Sequence, residues 1–141
     1  MRKARFILLI IAIPLLLFHA CEKNRGEIIP YVKVDIYMDI YAELGTLGHL
    51  QSKLISGGYN GIILYRESDF EFMAYDRTCT LFPDHDAAVI PDENIDGVFV
   101  CPECGSQYLV INGAQLIKGP AQYPLVEYRT AVTGSILHIF N

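Results

Sequence analysis

Turn signals recur about every 8–12 residues from residue 31 to the C-terminus, and that spacing suits short strands joined by hairpins. The first stretch, YVKVDIYMDIY (31–41), sets Val32, Val34, Ile36, Met38 and Ile40 against Lys33, Asp35 and Asp39, the period of two that marks a half-buried strand. YNGIILYRE (59–67) and FEFMAYD (70–76) flank Ser68-Asp69 and predict a hairpin. GVFVC (97–101) is a short apolar strand. YLVIN (108–112) and AQLIK (114–118) fold about Gly113, and LVEYRTAV (125–132) and SILHIF (135–140) fold about Thr133-Gly134. Residues 42–58 hold four glycines and read as a loop with at most one short turn of helix. Residues 77–97 read as a long connection with Cys79, two prolines and five acidic residues, and GPAQYP (119–124) as irregular chain. Eight short strands predict an all-β, small antiparallel sandwich or barrel.

The N-terminus follows another rule. Arg2, Lys3 and Arg5 precede an unbroken apolar run of 13 residues, Phe6 to Phe18. A bilayer-spanning helix needs roughly 20 residues, so the run fits the hydrophobic region of a secretory signal. Ala20-Cys21 follows directly and resembles a bacterial lipobox, with Phe18-His19 in place of smaller residues. The expectation is a signal peptide over 1–20, a lipidated Cys21 opening a tether over 21–30, and one domain over 31–141. The protein is then anchored in the membrane of the bacterial cell envelope, on the periplasmic face or in the outer membrane. The other reading, an uncleaved N-terminal anchor, leaves the domain outside the cytoplasm as well. Without Arg2, Lys3 and Arg5, eight basic residues face sixteen acidic ones, a net charge of −8. Such a domain has no basic balance for phosphates, so nucleic acid is not an expected partner.

With Cys21 set aside, Cys79, Cys101 and Cys104 remain, an odd number. Free thiols oxidise outside the cytoplasm, so three of them imply one disulfide with a leftover thiol, or a metal that protects all three. VCPECGSQY (100–108) lets two of the sulfurs point at one ion: Cys101 and Cys104 straddle Pro102-Glu103, and Gly105 gives the turn room. If strands 70–76 and 97–101 are neighbours, the loop carrying Cys79 meets this knuckle at one end of the sheet. His85, six residues after Cys79, completes a Cys3His set of the kind that holds zinc in a tetrahedron. Soft thiolates with an imidazole suit zinc or iron better than magnesium or calcium.

RTCTL, VFVCPECGSQY and GPAQYPLVEY together resemble the Rieske iron–sulfur domain over about residues 59–141. In that family two loops carry Cys-x-His and Cys-x-x-His, and the two histidines bind one iron of a [2Fe–2S] cluster. The resemblance places Cys79 and Cys101 on the family's cysteines. It places Ser106 and Tyr108 on the residues that hydrogen-bond toward the cluster sulfurs, and Gly119, Pro120 and Ala121 on the loop that covers it. Leu81 stands where the first histidine belongs, Cys104 where the second does, and Glu103 at one position of the family's extra disulfide. The ordinary two-histidine ligand set is therefore missing. An iron–sulfur cluster with other ligands, a zinc or other single ion, and a disulfide with no metal all stay open. The resemblance implies an electron carrier with a redox protein partner; the alternative is a non-redox structural or binding lipoprotein.

The remaining residues of note have plainer readings. His49 is expected to be solvated, and His138, out of phase with Leu137 and Ile139, to lie on a sheet surface. The acidic residues of 84–96 read as a solvated loop whose spacing does not match an EF-hand. Nine tyrosines suit half-buried strand surfaces. Ser106 has no histidine at a spacing that suggests a base, and no phosphate-loop or hydrolase motif occurs.

Overall fold

The computed structural model describes residues 28–141. The predicted signal peptide and Cys21 lie outside them. Among the described residues, ten strands form two antiparallel sheets. The larger has the order β1 (Asp35–Asp39), β10 (Ile136–Phe140), β9 (Glu127–Thr133), β4 (Phe72–Asp76), β3 (Ile62–Arg66), β2 (Gln51–Ile55). The smaller has the order β5 (Ile90–Pro91), β6 (Val98–Val100), β7 (Gln107–Leu109), β8 (Gln115–Lys118). The expected hairpins form as β3–β4, β7–β8 and β9–β10. The middle one turns through a short helical segment at Ile111–Ala114, with Asn112 and Gly113 in the left-handed region.

Two expectations need correction. Residues 51–55 form a strand, not loop, pairing with β3 from Gln51↔Arg66 to Ile55↔Ile62. Its side chains are exposed except for a half-buried Ile55, so it has no apolar alternation to read; backbone hydrogen bonds alone define it. Lys53 on this outermost strand is the kind of residue that discourages further strand addition. Strands β4 and β6 are also not neighbours, because they belong to different sheets.

β3 and β4 lie where two cores meet. Ile62, Leu64, Phe72 and Ala74 face a core with Leu137, Ile139, Val34, Ile40 and Leu44. Ile63, Tyr65 and Tyr75 face the other, with Phe99 and Tyr108 of the smaller sheet and Val89 and Val110 beside it. Burial on both faces is why Ile62-Ile63-Leu64 is an unbroken apolar run. The second core also contains Cys79 and Cys101, with Leu81 and Cys104 packed at its margin.

The chain passes from the larger sheet to the smaller through a short antiparallel joint. Val89 N–H donates to the Arg77 carbonyl at 2.7 Å, Cys79 N–H to the Ala87 carbonyl at 2.9 Å, and Thr78 bridges Ala88. Fully buried Asp76 fixes the approach. Its Oδ2 accepts from Tyr128 Oη–H at 2.6 Å and from Tyr59 N–H at 2.7 Å. Its Oδ1 accepts from Thr78 N–H at 2.8 Å and from the Thr78 hydroxyl. Gly58 lies so close that a Cβ there would meet Asp76 Oδ2 at 2.3 Å. Replacing Asp76 by Ala leaves these donors buried without an acceptor. Hydrogen bonds to a charged group are worth about 1.5–3 kcal/mol each, so the Asp76→Ala variant is expected to lose at least about 2 kcal/mol. Its urea midpoint measures this, and an unchanged midpoint would remove Asp76 from the joint.

Candidate metal centre

Two loops meet at one end of the smaller sheet. The knuckle follows β6: Cys101 N–H donates to the Ser106 carbonyl at 2.8 Å, and Gly105 N–H donates to the Cys101 carbonyl at 3.0 Å. Gly105 has φ +72, which lets the turn close without a side-chain clash. The first loop runs from Cys79 to Ala87, closed at its base by the joint. Phe82 N–H donates to the Cys79 carbonyl at 3.2 Å and Asp84 N–H to the Leu81 carbonyl at 3.0 Å. These turns double the loop back and bring His85 over the knuckle.

Cys79, His85, Cys101 and Cys104 thereby offer four donor atoms that all lie within 4.8 Å of one another. Cys79 Sγ is 3.6 Å from Cys104 Sγ, and Cys101 Sγ is 3.8 Å from His85 Nε2. Cys79 and Cys101 are buried, while His85 and Cys104 are half-buried. Pro102, Glu103 and Gly105 are exposed on the knuckle, so the cluster sits near the surface.

Polar groups surround the sulfurs. Tyr108 Oη lies 3.3 Å from Cys79 Sγ. It accepts from Thr80 N–H at 3.2 Å and lies 3.0 Å from Thr80 Oγ1. The Thr80 hydroxyl donates to the Tyr123 carbonyl at 2.6 Å, so Thr80 Oγ1 and Cys79 Sγ are the two acceptors within reach of the single phenol hydrogen. Ser106 Oγ accepts from the Cys104 thiol at 3.1 Å and from Ala121 N–H at 3.2 Å. When Cys104 ionises, the serine hydroxyl becomes the donor of this pair, which favours the thiolate. The covering loop reaches Ser106 because residue 119 is glycine, with φ +107; a Cβ there would lie 2.4 Å from Ser106 Cα. Pro120 stands exposed on this loop and has no N–H to offer.

The thiols differ in character. Burial pushes Cys79 up to about 12, despite its contact with Tyr108. Burial also opposes ionisation of Cys104, but the hydroxyl and amide of Ser106, with His85 and Cys101, outweigh it and bring Cys104 down to about 6. His85 Nδ1 accepts from Ala87 N–H at 3.3 Å and lies 3.7 Å from Glu103 Oε2.

The structure thus brings together Cys79, His85, Cys101 and Cys104, with Ser106 and Tyr108 against the sulfurs and Gly119 where the covering loop meets Ser106. Cys21 lies outside the described residues. His49 is exposed and pairs with Asp69 at 2.9 Å. His138 stacks on Tyr37 with ring centroids 4.1 Å apart and lies 2.8 Å from Asp35. Glu103 and Thr80 carried no contact role in the sequence, and Ala121 only a place on the covering loop: an exposed acid, a threonine in a turn and a loop amide have no signature of their own. Leu81, in the place of the Rieske histidine, packs against the second core and can bind no metal.

No protein-family model matches the chain, and no curated protein matches its sequence. Solved structures do match. A chain from a complex of reduced oxygenase and oxidized ferredoxin in carbazole 1,9a-dioxygenase is 19% identical, with a TM-score of 0.50 over 74% of this chain and 93% of that one. The ferredoxin of carbazole 1,9a-dioxygenase from Nocardioides aromaticivorans IC177 is 15% identical, with a TM-score of 0.49 over 76% of this chain and 97% of that one. The first of these supports the fold: an all-β, Rieske-like domain.

The thiol environments predict selective chemistry in reduced, metal-free protein. Brief iodoacetamide treatment at neutral pH is expected to modify Cys104 first and to spare buried Cys79 and Cys101. The Cys104 rate should hold steady above about pH 7 and fall as pH drops through about 6. Ser106→Ala removes a donor to the thiolate and should move that midpoint upward. Peptide mapping by mass spectrometry reads all three outcomes.

Proposed function

We propose that the protein is a lipid-anchored envelope protein that carries single electrons through a metal centre held by Cys79, His85, Cys101 and Cys104. The observation behind this reading is the cluster itself: three thiols and one imidazole converge within 4.8 Å at the tip of a Rieske-like fold. Soft donors of this kind suit iron or zinc. Four protein donors leave no open position on a four-coordinate ion, which argues against hydrolytic metal chemistry. The near-surface position suits exchange of an electron with another protein, since a partner can approach over Pro102, Glu103 and Gly105.

The residues around the sulfurs have definite work in such a carrier. Tyr108 and Ser106 donate toward Cys79 and Cys104, which stabilises electron-rich thiolates and tunes the potential. The joint at 77–79 and 87–89 and the closed knuckle hold the donors in place, so little structure needs to move when an electron arrives. The partner we infer is a redox protein. One solved structure of similar fold is a complex of an oxygenase and a ferredoxin, and the same class of contact suits this chain. A structural zinc protein is the second reading, favoured by the closed Cys3His set.

Two measurements test the proposal. Anaerobically purified protein should be coloured, bleach with dithionite and recover on reoxidation; Cys101→Ser should abolish that change. Colourless protein with no dithionite response would exclude electron transfer at this site. The anchor is tested separately. Cys21→Ser is expected to move the protein from the membrane fraction to the soluble fraction, or to leave the leader uncleaved; an unchanged mature, membrane-bound product would exclude lipidation at Cys21.

A further inference from the structure

Resting on the reading that these four residues form a metal centre, we propose that the centre holds one four-coordinate ion and not the two-iron cluster of the Rieske family. The distances between donor atoms carry this. A tetrahedral ion with sulfur at about 2.3 Å and nitrogen at about 2.0 Å sets its donors about 3.5–3.8 Å apart. The Cys79–Cys104 separation is 3.6 Å and the Cys101–His85 separation is 3.8 Å. These pairs share no atom, so they are opposite edges of one tetrahedron. The other four edges are all within 4.8 Å.

A two-iron cluster needs a different shape. It divides its ligands into two pairs, one per iron, with the metal–metal axis between them, so donors on different irons stand on the order of 6 Å apart. No division of these four donors into pairs leaves such a gap, because every separation is below it. The loops explain the contraction. Leu81 turns to the core where the Rieske pattern puts an outer histidine. His85 returns from the same loop to Cys101 instead, and Cys104 comes within 3.6 Å of Cys79. Ligands that would be split between two irons are interleaved around one centre.

Binding is an exchange of protons for the ion. The thiols of Cys79, Cys101 and Cys104 give up any protons they carry and bind as thiolates. His85 binds through Nε2, so its ring proton must sit on Nδ1, and the bond that Nδ1 accepts from Ala87 N–H in the metal-free structure is given up. Glu103 Oε2, 3.7 Å from Nδ1, must close by a few tenths of an ångström to accept it. Three thiolates and a neutral imidazole on a divalent ion leave a net charge of −1.

The test uses full-length protein purified anaerobically, with metal and acid-labile sulfide measured per chain, and Co²⁺ titrated into reduced, metal-free protein. One metal per chain, no sulfide and a tetrahedral cobalt spectrum saturating at one equivalent are expected. His85→Ala should weaken cobalt binding and alter the spectrum while leaving the far-ultraviolet circular dichroism unchanged. One iron with a dithionite response supports both this inference and the electron-carrier reading. One zinc upholds the single ion and overturns the electron carrier. Two irons with two sulfides overturn the single ion and uphold the carrier. No metal as purified and no cobalt uptake after reduction overturn both.

Discussion

The short antiparallel joint between residues 77–79 and 87–89 is the constraint on which the rest depends. It carries the chain from the larger sheet into the smaller one and closes the base of the loop that holds Cys79 and His85. It is fixed from behind by Asp76, whose two oxygens take donors from Tyr128 on β9, Tyr59 before β3 and Thr78 within the joint. A buried carboxylate with this many donors tolerates little displacement, because each lost partner leaves a polar group away from water. At the end of the joint, Val89 enters the second core with Phe99 and Tyr108, which ties the loop to the strands flanking the knuckle. Cys79 meets Cys101 and Cys104 by this route, although β4 and β6 lie in different sheets.

Much of the fold was legible because burial writes itself into side-chain type. β3 announced itself as a continuous apolar run because both its faces are covered. The β9–β10 hairpin was readable from Thr133-Gly134, and Gly134 indeed takes φ +62. β2 was not legible, since its side chains are largely exposed and its identity rests on main-chain hydrogen bonds to β3. β5 is only two residues long, and both are exposed. Strands that bury no side chains leave no pattern behind them.

The candidate site divides along the same line. Cys79, Cys101 and Cys104 were visible from residue type and from the knuckle spacing, and Ser106, Tyr108 and Gly119 from the resemblance of their loops. The placement of His85 against Cys101 needed the turns at 79–84, whose hydrogen bonds are main-chain and carry little residue preference. Glu103 stands where the Rieske resemblance expects a disulfide cysteine. Its approach to His85 Nδ1 depends on both loops at once, and no local stretch of sequence contains that relation.

The parts of the site that match the Rieske pattern and the parts that depart from it contact different things. Tyr108, Ser106, Ala121 and Gly119 act on sulfur atoms or on one another, and each of these contacts serves a thiolate whether one metal or two lies beyond it. The positions that depart from the Rieske pattern, Leu81, Glu103 and Cys104, are those that decide where the outer ligands stand. Exchanging the second histidine for Cys104 shortens the reach of that ligand and adds a negative charge. Exchanging the first for Leu81 removes the outer anchor from its loop. With the outer pair gone, His85 and Cys104 close inward on Cys79 and Cys101. The contacts to sulfur and the positions of the outer donors are therefore separable, because they reside in different residues.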